Sequence, residues 1–131
     1  MVSSPGSLIE VVELRSFVRD VKGMLTEEQS TGLKSFLAGN PEAGDVVPGT
    51  NGVRKLRWRM ENRGKRGGAR IIYYYRDLNM PLFLIAAFAK SEKIDLTGRE
   101  KAEIRKLVDE LVAEYGERWR GMANGDAATK A

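Results

Sequence analysis

Val53-Arg54-Lys55-Leu56-Arg57-Trp58-Arg59-Met60, followed after a polar stretch by Ala69-Arg70-Ile71-Ile72-Tyr73-Tyr74-Tyr75-Arg76, sets the architecture of this 131-residue chain. In the first segment Leu56, Trp58 and Met60 alternate with Lys55, Arg57 and Arg59. A period of two is the signature of a strand with one buried face, here backed by a comb of cations. The second segment places Arg70, Ile72 and Tyr74 on one side and Ile71, Tyr73 and Tyr75 on the other. Leu82 to Ala89 is apolar at every position, as expected of a central strand covered on both faces. The connections between these three segments are short, which predicts an antiparallel meander.

Working outward, Leu8 to Leu14 is short and β-branched and reads as a first strand. Ser16 is placed to cap a short helix that presents Phe17, Val18 and Val21. Thr26 and Gln29 have capping-box spacing, and the helix they open buries Leu33, Phe36 and Leu37 before Gly39-Asn40-Pro41 stops it. A Gly- and Pro-rich loop runs from Pro41 to Gly52. Thr97 and Glu100 form a second capping box, ahead of a stripe of Ile104, Leu107, Val108, Leu111, Val112, Tyr115 and Trp119 at helical spacing. The expected class is α+β: a small antiparallel sheet of about four strands with two N-terminal helices and one C-terminal helix, the helices on one face. One domain is expected over 8–120, between a flexible N-terminus (1–7) and a flexible tail (121–131).

Composition narrows the chemistry. The chain has 42% hydrophobic and 31% charged residues, enough for one core. It has no Cys and no His, which removes thiolate and imidazole ligands and every Ser-His or Cys-His nucleophile. Any catalysis therefore falls to Lys, Arg, Tyr, Asp or Glu, and no metal or cofactor is expected. The net charge of +4 conceals a gradient: Val53 to Arg76 holds nine basic residues and one acid, Glu61, while the remainder is net acidic. A basic segment on a slightly acidic body points to a polyanion, nucleic acid first, or to a solvated strand pair. The longest apolar run, Met80 to Ala89, contains Pro81 and is too short for a membrane span, so a cytoplasmic location is expected.

Lys55 and Arg57 would project from one face about 7 Å apart, near the spacing of adjacent phosphates. Asn62 to Gly68 is not a phosphate loop, because Arg59 stands where its first Gly is required and Arg66 where Ser or Thr must follow Lys65. A cationic hairpin tip lying along a phosphate backbone fits better, with a plain turn as the other reading. Tyr74 shares a face with Arg70, where a ring could stack on an unpaired base or be core. Lys90 closes the apolar strand at a rim where sites often lie.

Taken together, Gly44-Asp45-Val46, Gly49 to Arg57, Gly64 to Tyr74, Phe88-Ala89-Lys90 and Asp95-Leu96-Thr97 resemble the HigB branch of the RelE/ParE toxin superfamily, over roughly residues 8–115. The resemblance implies a toxin of a type II toxin–antitoxin system that cleaves mRNA on the ribosome. It implies attack of the RNA 2′-oxygen on its own phosphate, with Lys55, Arg57, Arg70 and Lys90 matching the family's basic positions. RelE itself has Lys at the position of Arg57, and Arg is no base. Ser91 replaces an Arg assigned as the acid, and no Tyr follows Lys90. The base role then moves to Lys55, with Arg57 and Arg70 as like-charged neighbours and phosphate clamps, and the acid role to Lys90. Arg54, Arg59, Lys65, Arg66 and Tyr74 are the expected further RNA contacts. The implied partners are a HigA-like helix-turn-helix antitoxin, mRNA and the ribosome. Two other readings stand beside this one: a ParE-like inhibitor of DNA gyrase, and a non-catalytic RNA- or ribosome-binding module.

Overall fold

A computed structural model describes residues 9–60 and 68–123, with side chains as far as residue 115. The elements are β1 (Val11–Glu13), α1 (Arg15–Val21), α2 (Glu27–Gly39), β2 (Asp45–Val46), β3 (Val53–Trp58), β4 (Ala69–Tyr74), β5 (Leu82–Ala89) and α3 (Gly98–Ala123). They build an α+β domain around a five-stranded sheet of order β1-β5-β4-β3-β2. The β3–β4–β5 meander is antiparallel as expected, but β1 pairs with β5 in parallel, so the sheet is mixed rather than wholly antiparallel. The expected first strand shortens to Val11–Glu13, and Leu8 lies outside the described residues. The added strand β2 is two residues long and borders β3 within what reads as a loop.

The helices lie on both faces of the sheet, not on one. Phe17 and Val21 of α1, with Leu33 and Leu37 of α2, pack on Leu56, Ile71, Tyr73, Leu82 and Leu84. On the opposite face Ile104, Val108 and Leu111 of α3 pack on Val53, Ile72, Tyr74, Phe83 and Ile85. Two apolar layers explain why β4 is buried at all six positions and β5 at seven of eight. A strand enclosed on both sides has no polar face to show.

Local signals behave unevenly. Both capping boxes form: Thr26 and Gln29 exchange bonds at the start of α2, and Thr97 and Glu100 do so at α3. Ser16 does not cap α1. Its hydroxyl donates instead to the Ile85 carbonyl, and the Asp20 carboxylate accepts from the Ala87 N–H at 3.1 Å. Beyond the reach of β1, two α1 side chains thus satisfy the edge of β5 that a strand would have covered. Phe36, expected in the core, is 37% exposed and tilts against Trp58, with centroids 5.5 Å apart.

The loop before β3 is fastened from beneath. Buried Tyr73 accepts the Gly44 N–H at 2.8 Å and donates to the Pro41 carbonyl at 2.9 Å. Any side chain at Gly44 would bring its Cβ to 2.9 Å from the Lys55 carbonyl, so a glycine is required there. Tyr73→Phe leaves the Gly44 N–H without a partner in a dry environment. Urea denaturation of this variant is expected to show a loss of about 1–3 kcal/mol. A midpoint equal to wild type would mean that water replaces the phenol.

Candidate functional site

On the α3 side of the sheet the apolar layer stops short of one end, and cations take over. Lys55 and Arg57 of β3 and Arg70 of β4 share this face, with Arg57 directly opposite Arg70 in the antiparallel register. The next residue across is Phe88 of β5, which pairs with Arg70. Arg57 is exposed, whereas Arg70 is 9% exposed. Burial, and then the Arg57 charge, lower the Arg70 pKa from its ordinary value. Like charges set directly across a ladder destabilise it. Lys90 follows β5, and its N–H donates to the Gly68 carbonyl at 3.0 Å, which lays it beside the entry to β4. Arg59 is exposed just beyond β3. Its neighbours Trp58 and Met60 both belong to the α1–α2 layer, which turns Arg59 to the cationic side.

The structure gives two of the expected RNA contacts other surroundings. Arg54 alternates to the opposite face, where its guanidinium donates to the carbonyls of Glu42 (3.1 Å) and Gly44 (2.7 Å) and pins the same loop as Tyr73. Tyr74 does lie on the Arg70 face, but α3 covers it. It is 6% exposed in the α3 core, and burial raises its phenol pKa. No base can stack on a ring already packed by a helix. Lys65 and Arg66 lie outside the described residues.

The sequence reading also missed partners. Lys55 donates to Asp95 Oδ1 at 3.0 Å, so an opposite charge offsets its two like-charged neighbours. Asp95 Oδ1 further accepts the Leu96 N–H at 2.8 Å. That bond and the Lys55 ammonium hold the Asp95 carboxyl below the usual carboxylate range. Lys93 pairs with Glu100 and lies over the Phe88 ring at 5.4 Å, a cation–π contact. Between α1, β5 and α3 opens a cleft of about 360 Å³, lined by Ser16, Asp20, Phe88, Lys93, Leu96 and Ile104 among others. No short-range pattern could announce it, because its walls come from distant segments. Among the described residues no group of three or more His, Cys, Asp or Glu could hold a metal ion, and no helix is long and apolar enough to cross a membrane.

The fold is a small α+β domain that carries Lys55, Arg57 and Arg70 on one sheet face. The chain matches the family model described as "RelE toxin of RelE / RelB toxin-antitoxin system" over residues 42–127, and it belongs to that family. Its role is therefore that of a toxin, with an antitoxin as partner.

The two depressed carboxyls, Asp95 and Glu100, give a pH prediction. Glu100 is lowered first by the Lys93 bond and then by the Thr97 N–H. A carboxyl whose folded pKa lies below its unfolded one adds stability that is complete above the unfolded value, about pH 4. That contribution is lost as pH falls through the folded value. Thermal melts from pH 6 to 2 are expected to decline more gently for the double variant Asp95→Asn, Glu100→Gln than for wild type. Parallel declines would mean that neither carboxyl gains on folding.

Proposed function

We propose that this toxin is a metal-independent endoribonuclease that cuts mRNA on the translating ribosome and so inhibits translation. One observation carries the reading: Arg57 stands opposite Arg70, with Lys55 two residues along the same face. Two guanidiniums set across one ladder offer a ready place for an anion between them. A phosphodiester in transit to a phosphorane, which gains negative charge, benefits most from it.

In the proposed reaction the RNA 2′-oxygen attacks the adjacent phosphorus while the bond from phosphorus to the 5′-oxygen breaks. The products are a 2′,3′-cyclic phosphate and a 5′-hydroxyl. Arg57 and Arg70 hold the non-bridging oxygens. Lys55 takes the 2′ proton, and Lys90 gives one to the departing 5′-oxygen. Arg59 and the Lys65–Arg66 segment extend the contact along the phosphate backbone. A helix-turn-helix antitoxin of the HigA type and a cytoplasmic setting complete the proposal, which also follows the resemblance of these motifs to the HigB branch.

The test is cleavage of mRNA on programmed ribosomes in the presence of EDTA, followed by primer extension and end-group analysis. Discrete cuts within codons ending in cyclic phosphate are expected. Arg57→Ala should lower the rate about 10²–10³-fold, the usual loss when one preorganised donor to a developing oxyanion is removed. Arg54→Ala should lower the melting temperature yet keep the rate at temperatures where the variant is folded. Intact mRNA together with gyrase-dependent DNA breaks would replace this reading with the ParE-like one.

A further inference from the structure

The Lys55–Asp95 pair is not an incidental surface contact. Asp95 belongs to the segment between β5 and α3, forty residues from Lys55, and its position is fixed by its own chain. The same oxygen, Oδ1, takes both the Leu96 N–H and the Lys55 ammonium, and Leu96 is itself buried in the α3 core. The carboxylate is thus held in place by backbone and core, and the flexible lysine comes to it. The pair remains open to solvent, with side-chain exposures of 29% for Lys55 and 46% for Asp95. An anionic oxygen thus already sits 3.0 Å from the ammonium of a lysine that shares its strand face with Arg57.

We propose that Asp95 is a built-in counter-ion that occupies Lys55 until an RNA phosphate displaces it, and so sets how tightly the site holds RNA. The inference rests on the nuclease reading above and adds a positioning residue to it. Exchange is physically cheap, because partly exposed ion pairs are weak and readily re-form with another anion. The Leu96 N–H keeps Asp95 in place after Lys55 leaves, so displacement need not unravel the start of α3. In the resting protein the pair also shields Lys55 from unrelated anions.

The probe is a ribosome programmed with an mRNA carrying 2′-methoxy sugars at the cut codon, which cannot react. Binding of the full chain is measured across a range of KCl concentrations, for wild type, Asp95→Asn, Lys55→Met and the double variant. Asparagine retains an oxygen for the Leu96 N–H, and a thermal melt confirms folding. Asp95→Asn is expected to bind several-fold tighter, with a steeper salt dependence, because only in the wild type does the freed carboxylate take a cation back as RNA binds. In the Lys55→Met background the same substitution should give no gain. Equal or weaker binding by Asp95→Asn overturns the proposal. So does a gain that persists without Lys55, since that would be general charge. A wild type that cuts ordinary mRNA while Asp95→Asn binds unchanged defeats this inference alone. A wild type that neither binds nor cuts defeats the nuclease reading and this inference with it.

Discussion

The antiparallel register of β3 against β4 is the constraint on which everything else rests. With Arg57 opposite Arg70 and Leu56 opposite Ile71, Leu56 and Trp58 of β3 turn to the α1–α2 core while Val53, Lys55 and Arg57 take the α3 side. A slip of one residue would drive Lys55 and Arg57 among Phe17, Leu33 and Leu37, and would push Leu56 and Trp58 out to the cationic side. The penalty of burying unpaired charges makes that alternative inaccessible. The same register that builds the core therefore also sets which face carries the cations. Gly68 guards the entry to β4: with φ at +65° and its Cβ direction blocked 2.6 Å away by the Trp58 carbonyl, it accepts no other residue without distortion.

How much of this is legible in the sequence follows from range. Alternation in β3, β4 and the apolar run of β5 is readable, and so are both capping boxes, because each signal spans a few residues. The parallel pairing of β1 with β5 is not, since it joins Val11 to Leu82 and no local pattern encodes the partner. The placement of α3 on the opposite face from α1 and α2 is hidden for the same reason. Amphipathic stripes say that a helix is covered, not by which side of a sheet. Ser16 is instructive: next to a helix start its type suggests a cap, yet a carbonyl on β5 offers its hydroxyl a more buried acceptor.

The candidate site shows the same division. Periodicity correctly assigns Lys55, Arg57 and Arg70 to one face. It cannot reveal what lies above that face, and so Tyr74, on the same side as Arg70, turns out to be roofed by α3. Arg54 belongs to a run of cations but serves the Pro41–Gly44 loop, a role visible only when the carbonyls of Glu42 and Gly44 are in place. Asp95 escapes notice because a single carboxylate has no spacing motif. Its significance comes from the lysine that the fold brings to it.

One sheet face serves here as both core and candidate site, and two polar contacts to α3 and the segment before it flank the division. Asn51, in the left-handed turn between β2 and β3, donates to Asp109 of α3 at 2.9 Å, and Lys55 donates to Asp95 ahead of that helix. The helix itself is held by the packing of Ile104, Val108 and Leu111 on Val53 and Ile72, and beyond that layer Arg57 is exposed. A helix shifted toward the other end would bury Arg57 beside the already buried Arg70, and taking a second charge out of water costs several kcal/mol. Electrostatics thus sets where hydrophobic packing ends. The boundary between them is the edge of the site.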